Sequence, residues 1–118
     1  MLKAILAFFL LAVSSYAQAA THSATLTWTW TQTGGDPATG FHVQRSQVSG
    51  GPYTVVGTVS SVATLTYTDT TVAGGQTYYY VVTAFNSGGD SAPSNQATGV
   101  IPFQAPSPGP AGLTITVK

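Results

Sequence analysis

The residue types that could perform chemistry are few in this chain and far apart. There are two histidines, His22 and His42, three aspartates, Asp36, Asp69 and Asp90, and neither cysteine nor glutamate. A metal site needs several such ligands that converge, with further groups to orient them. Each aspartate lies beside turn residues, where its side chain commonly bonds its own backbone, and both histidines are expected to face solvent. We therefore predict no metal site and no cofactor.

Other classes of catalysis also lack support in the sequence. No serine stands in a recognisable context with a histidine and an acid, as acyl transfer requires. No glycine-rich stretch links a predicted strand to a helix, so there is no phosphate cradle. Three basic and three acidic residues in 118 form no basic patch, which argues against nucleic-acid binding. We expect a protein that is not an enzyme and has no nucleic-acid partner.

The segment that must position any site is residues 75–86, the longest run of β-branched and aromatic residues in the chain. Glycine pairs stand at both of its ends and no proline interrupts it, which predicts a central strand. Because side chains alternate along a strand, one face must be core. The alternation places Tyr78, Tyr80 and Val82 on the core face and Tyr79, Val81 and Phe85 on the outer face.

Five further segments have strand composition or alternation, at residues 23–30, 41–45, 53–59, 64–68 and 95–101. In the first, apolar residues alternate with threonines, which predicts one buried and one wet face. The core positions predicted in these segments are Leu26, Trp28, Phe41, Val43 and Tyr67. Six strands, short loops and no helical periodicity predict an all-β fold of two antiparallel sheets.

The outer face of the central strand is the candidate binding surface. With Tyr79, Val81 and Phe85 it would share a sheet face with His42 and Gln44. Contiguous aromatic and apolar side chains with a polar rim often mark contacts with a protein or a sugar. Neighbouring side chains or another module could equally cover them. The candidate partners are other protein modules, like subunits or an extracellular polysaccharide.

The N-terminus has the pattern of a secretory signal. Lys3 precedes an apolar run at residues 4–13, and Ala17-Gln18-Ala19 matches the small-residue cleavage rule. The apolar run is shorter than the roughly 20 residues that a membrane-spanning helix needs. We predict a signal helix at residues 1–19, cleavage after Ala19, and a secreted or cell-surface chain with no stable membrane span.

Together these segments resemble the fibronectin type III family, as found in secreted bacterial proteins, over residues 23–102. The resemblance rests on Leu26-Thr27-Trp28, Gly40-Phe41-His42-Val43, Ser49-Gly50-Gly51-Pro52-Tyr53, Tyr67-Thr68-Asp69-Thr70 and, above all, Val72-Ala73-Gly74-Gly75-Gln76-Thr77-Tyr78-x-Tyr80-x-Val82-x-Ala84-x-Asn86. It implies an immunoglobulin-like sandwich with Trp28 and Tyr80 as core partners. It also implies that Tyr78 is a corner tyrosine whose hydroxyl bonds backbone in the preceding turn.

One departure from the family pattern concerns its first strand. The family usually has a strand before the tryptophan strand, and little sequence lies between Ala19 and Ser23 for one. The predicted organisation is a domain at residues 20–102 without that strand, a proline-rich linker at 103–110 and a C-terminal strand at 111–118. In this last segment Leu113, Ile115 and Val117 alternate with polar residues, which resembles the missing first strand.

Three interpretations of residues 111–118 stay open. The segment could begin the next module of a longer array, fold back into its own domain, or fill the edge of a neighbouring molecule and so build fibres. We prefer the first, then strand donation, because fold-back must cross a whole strand length. That length is about 26 Å for eight residues at about 3.3 Å each, and the nine residues 102–110 span about 28 Å as polyproline at about 3.1 Å each.

These observations predict an exported, non-enzymatic β-sandwich module that serves as a spacer, adhesion or protein-interaction element at the cell surface. Two alternatives remain. One is a self-assembling extracellular fibre subunit linked by donation of the C-terminal strand. The other is a polysaccharide-binding accessory module.

Overall fold

The computed structural model describes residues 21–118, which form two antiparallel β-sheets packed face to face. The strands are β1 (Ala24–Thr27), β2 (Gly40–Ser46), β3 (Thr54–Val59), β4 (Thr66–Asp69), β5 (Thr77–Asn86), β6 (Gly89–Asp90) and β7 (Ala97–Val100). One sheet pairs β1 with β4, and the other has the order β3-β2-β5, with β6 and β7 both paired to β5. The predicted two-sheet antiparallel sandwich is confirmed. The predicted signal helix at residues 1–19 lies outside the described residues.

The pairing of β2 with β5 sets which side chains enter the core. Its register runs from Gly40 opposite Phe85 to Ser46 opposite Tyr79. Phe41 and Val43 therefore share one face with Ala84 and with Tyr78, Tyr80 and Val82, and these side chains join the hydrophobic core. The two faces of the central strand are thus divided as the alternation in the sequence predicts.

The strand boundaries differ from the prediction at three places. β1 ends at Thr27 rather than at residue 30, β7 is shorter than residues 95–101, and the two-residue strand β6 was not predicted. Between β6 and β7, Pro93 lacks the N–H that a strand ladder needs. There the hydroxyls of Ser91 and Ser94 accept hydrogen bonds from the Ala84 and Val82 amides, at 3.0 and 2.9 Å. The chain thus follows β5 without being a strand.

The core consists of two clusters of buried side chains that Trp28 joins. One contains Val43, Tyr78 and Tyr80, the other contains Phe41, and Trp28 packs against both. Its ring meets that of Phe41 edge to face, with centroids 5.3 Å apart, a favoured geometry for aromatic pairs.

Four of the predicted core residues are only partly buried, namely Leu26, Trp28, Tyr67 and Val82. These four side chains pack against the core, but none of them is fully enclosed. The reason lies in the smaller sheet, where β1 pairs with β4 and, within residues 21–118, with no strand on its other edge. The core is therefore open along β1.

Three contacts fix the turn before β5 and the start of the C-terminal segment. The Tyr78 hydroxyl accepts a hydrogen bond from the Ala73 amide at 3.0 Å, the corner that the family resemblance implies. A Cβ on Gly75, where φ is +79°, would overlap the Phe103 ring. Gln104 Nε2 donates to the Thr21 carbonyl at 3.3 Å. The C-terminal segment therefore leaves the sandwich beside the start of the β1 sheet.

Residues 102–118 contain no strand and are exposed throughout. Leu113, Ile115 and Val117, the candidate donor residues, are 94, 85 and 81% exposed. The fold-back interpretation disagrees with this structure, since the segment does not cover its own β1. Within residues 21–118 there is also no helix long and apolar enough to span a membrane.

The position of Trp28 gives a direct test of the core. Trp28→Ala should lower the free energy of unfolding by about 3 kcal/mol, the low end for a large aromatic because the ring is partly exposed. Denaturant titration measures this loss. Val62→Ala, in an exposed turn, is the control and should change stability by less than about 0.5 kcal/mol. A loss below about 1 kcal/mol for Trp28→Ala would contradict its place between the clusters.

Candidate functional site

The most buried polar group is the carboxylate of Asp69 at the end of β4, which is 1% exposed. Arg45 Nη1 donates to its Oδ2 at 2.7 Å, and the Tyr80 hydroxyl donates to the same oxygen at 2.8 Å. The Thr71 amide and hydroxyl donate to Oδ1 at 2.9 and 2.6 Å. The Arg45 guanidinium also lies 4.8 Å from the centre of the Tyr78 ring. This network ties β2, β4 and β5 together.

The pKa shifts in this network follow from burial and from its hydrogen bonds. Burial alone would raise the pKa of Asp69, but hydrogen bonds from Thr71, Tyr80 and Arg45 outweigh it and lower the pKa to about 2. Burial and the bond to Asp69 raise the pKa of Tyr80. Burial opposes the charge on Arg45, but its interactions with Asp69 raise its pKa. All three groups are held in one protonation state, which suits a structural role.

The sequence analysis placed Asp69 in a turn, and its bond to the Thr71 amide agrees with that. It missed that the carboxylate is buried and paired with Arg45. The available signal was the position of Arg45, which shares the alternation of Phe41 and Val43 and so points to the core face. A charge on a core face needs a partner.

The five residues of the predicted binding surface share the outer face of β2 and β5. Gln44 lies opposite Val81, and His42 opposite Thr83. Val81, however, is only 5% exposed, so the expectation that it is part of an open surface is wrong. Tyr79, Phe85, His42 and Gln44 are half-buried.

Hydrogen bonds from the turn before β3 cross the outer face of the sheet at the level of Val81. The Tyr53 hydroxyl and the Gly50 amide both bond Gln96 Oε1. Gln96 precedes β7 on the far side of β5, so these bonds cross the outer face of the sheet. We attribute the burial of Val81 to this crossing. The candidate surface is thereby divided, with Tyr79 at one end and Phe85 at the other.

At the Phe85 end, an imidazole stacks on an aromatic ring. The rings of His42 and Phe85 are 4.1 Å apart and nearly parallel, at 7°. His42 Nδ1 lies 2.9 Å from Asp90 Oδ2, which also accepts a hydrogen bond from the Thr83 hydroxyl at 2.6 Å. The bonds from Thr83 and His42 lower the pKa of Asp90. His42, with 24% of its side chain exposed, is therefore an oriented group rather than one facing solvent as expected.

Beyond this stack, the loop at residues 31–38 and the turn at 85–91 enclose an open hollow of about 410 Å³, which we call the Trp30 hollow. The Gln32 amide nitrogen donates to three carbonyls of its own loop, those of Gly34, Gly35 and Asp36, at 2.9–3.1 Å. The hollow is lined in part by Trp30, Gln32, Phe85, Asn86 and Asp90.

The hollow is built from side chains that also brace its two walls. Asn86 Nδ2 donates to the Asp36 and Pro37 carbonyls at 3.2 and 3.4 Å and so links the walls. Trp30 meets Phe41 edge to face at 5.5 Å. The sequence pattern does not bring Trp30 and the turn after Asn86 together, because they are more than fifty residues apart in the chain. Nothing in the local pattern of residues 32–38 indicates that Gln32 organises the loop.

Chemically, the Trp30 hollow offers aromatic faces beside amide and carboxylate groups. That combination suits a neutral polar ligand, because rings cover apolar faces while amides and carboxylates bond hydroxyls. In the described part of the chain no three histidine or acidic side chains come together as a metal site would require.

Comparison with known proteins identifies the fold. The model of the fibronectin type III domain matches residues 12–100. The chain belongs to the fibronectin type III family. The crystal structure of a Fn3-like protein from Clostridium thermocellum is 39% identical and superimposes with a TM-score of 0.54, over 70% of this chain and 80% of that one.

Two further relatives are parts of much longer proteins. A stretch of 62 residues, 52% of this chain, is 45% identical to an amylopullulanase from Thermoanaerobacter thermohydrosulfuricus and spans 4% of its length. A β-1,2-glucanase from Parabacteroides distasonis shares the fold, with a TM-score of 0.57 and 22% identity, over 77% of this chain and 12% of that one. Stretches that resemble this chain in sequence or fold thus occur both in a small protein and within large ones.

The lowered pKa of Asp69 predicts how stability depends on pH. Its folded pKa of about 2 lies below the ordinary 3.8, so its contribution is complete above about pH 5 and is lost as the pH falls towards about 2. The loss should be about 2 kcal/mol in the free energy of unfolding. Denaturant titrations across this range measure it.

Two variants identify the group responsible. Asp69→Asn should weaken this pH dependence, leaving the smaller part due to Asp90, and should lower stability at neutral pH because Arg45 loses its partner. Asp36→Asn, in the exposed loop, should leave the dependence unchanged. An Asp69→Asn chain that keeps the full slope would show that the network does not set it.

Proposed function

We propose that the chain is an exported, non-catalytic accessory module that spaces or joins other modules. The observation that carries this proposal is the contrast between its two parts. Residues 21–101 form a sandwich braced by the buried Asp69–Arg45 pair, whereas residues 102–118 are exposed and make no strand within it. A rigid body with an extended, proline-rich connection is what a spacer needs.

The comparisons support an accessory role. The amylopullulanase carries a stretch 45% identical to this chain within a protein far longer than the match. A stretch similar to this chain is therefore a small part of a long enzyme, which supports an accessory role. The export of this chain rests on the signal pattern at residues 1–19.

Hydrogen exchange in dilute solution tests the contrast between sandwich and connection. Amides of β2 and β5 should be protected, because their ladder lies in the middle of the larger sheet. Amides at residues 111–118 should exchange at the rate of an unstructured chain. Protection of residues 111–118 in a monomer would mean that the segment pairs within its own domain, and the chain would then have no extended connection.

A second candidate function, polysaccharide binding, is favoured by the Trp30 hollow. Its aromatic and polar lining suits a sugar, whose ring has apolar faces and whose hydroxyls seek amides and carboxylates. The relative in the amylopullulanase makes an α-glucan the first ligand to examine. In this role Phe85 and Trp30 would contact the sugar, whereas Tyr79 lies towards the other end of the outer face.

Electrophoresis through gels that contain pullulan or amylopectin tests this role. The chain should be retarded and should release no new reducing ends. Phe85→Ala should raise the dissociation constant about 3- to 10-fold, because one aromatic contact with the ligand is lost. Tyr79→Ala shows whether the outer face also contributes, and Val48→Ala, in an exposed turn, is the control. Equal retardation of Phe85→Ala and the parent chain would exclude the hollow, and release of reducing ends would contradict the non-catalytic assignment.

A further inference from the structure

The open side of the core lies between β1 and β7. A groove of about 560 Å³ runs there, bordered by residues 24–29 on one side and by Ala97, Thr98 and Gly99 on the other, with Tyr80 and Val82 at its base. Ala24, Leu26 and Trp28 face it and are only partly buried. The backbone edge of β1 that faces away from β4 has no strand partner within residues 21–118. Such an edge is a template for an added strand.

The C-terminal segment has the complementary features. Leu113, Ile115 and Val117 are its apolar positions, spaced two apart so that they lie on one face of an extended strand. All three are more than 80% exposed. Moving an apolar face of this kind from water into a groove lowers the free energy of the system. Eight residues extend about 26 Å, and the groove along residues 24–29 needs about 20 Å.

We propose that residues 111–118 of one copy of this chain occupy the groove between β1 and β7 of a second copy, antiparallel to β1. This inference rests on the proposed function, in which this segment joins modules, and it names the partner. Leu113, Ile115 and Val117 fill the groove, and the backbone of the segment pairs with the free edge of β1.

The path of the chain explains why the occupant comes from another copy. Gln104 is held beside Thr21, at the end where an antiparallel partner of β1 finishes. To start at the other end, beside Thr29, the same chain would have to run back about 26 Å along β1. The chain from Gln104 to residue 111 spans only about 22 Å as polyproline. Its own antiparallel position is therefore out of reach, while that of a second copy is not.

Repetition of this contact builds a filament. The donor segment and the acceptor groove are different surfaces, so the contact is head-to-tail. A joined pair therefore still has one free groove and one free segment, to which further copies can add. The family match begins at residue 12, before the predicted cleavage site, so the test needs a chain whose N-terminus is known. Cleavage after Ala19 would remove residues 12–19 of this match.

The experiment uses the full chain from an exporting host, with its N-terminus established by mass spectrometry. Light scattering, electron microscopy and hydrogen exchange are followed as the concentration rises. We expect the mass to grow with concentration, filaments to form, and amides of residues 111–118 and β1 to become protected together. Ile115→Asp should raise the dissociation constant at least about tenfold, because it places a charge in the groove. Thr114→Asp, with the same charge on the outward face, should assemble like the parent chain.

Three outcomes would overturn the inference. A monomer with unprotected residues 111–118 at all concentrations leaves the spacer role intact but refutes donation. A monomer with these residues protected means pairing within one chain and refutes both the donation and the extended connection. Equal assembly of the parent and Ile115→Asp chains shows that any oligomer forms through another surface.

Discussion

The buried carboxylate of Asp69 needs hydrogen-bond partners, and several parts of the sandwich supply them. Removing a charge from water is costly unless partners replace the lost hydration. Four donor groups do so, from Arg45, Tyr80 and the amide and hydroxyl of Thr71. Those partners come from β2, from β5 and from the turn after β4. The network therefore links both sheets through a single side chain.

The two ends of the molecule are held by different contacts. At the Asp69 end, the corner bond between Tyr78 and Ala73 and the packing of Phe103 on Gly75 close the sandwich and direct the C-terminal segment outward. At the other end, Gln32 and Asn86 bond loop carbonyls and keep the Trp30 hollow open. One end is suited to connection and the other to contact with a ligand.

Between these ends, the edge of β1 is the incomplete part of the fold. Its threonines keep the outer face wet, while its apolar face reaches a core that no third strand closes within residues 21–118. The C-terminal segment carries exposed apolar residues of the kind that could cover this open side of the core. A domain that lacks apolar cover at one edge and carries spare apolar side chains on an extension has a physical reason to associate with its own kind.

The fold class, the central strand and the division of its faces could all be predicted from the amino-acid sequence. Alternation of side chains is a local property, and Tyr78, Tyr80 and Val82 could be assigned to the core from it. The corner at Tyr78 could be inferred from the family pattern, and the apolar face of residues 111–118 could be read directly. The strand ends could be placed only approximately, because Ser91 and Ser94 replace ladder partners around Pro93 in a way that no local pattern shows.

Which distant side chains contact one another could be seen only in the folded chain. The Arg45–Asp69 pair, the His42–Phe85 stack and the bonds from Tyr53 to Gln96 join residues far apart in sequence. Each depends on the strand register, which side-chain alternation leaves open along the strand direction. Val81 has the sequence signal of an exposed outer-face residue, yet only 5% of it is exposed in the folded chain. Burial is a property of neighbours in space, and these are set only when the two sheets and their connecting turns have packed.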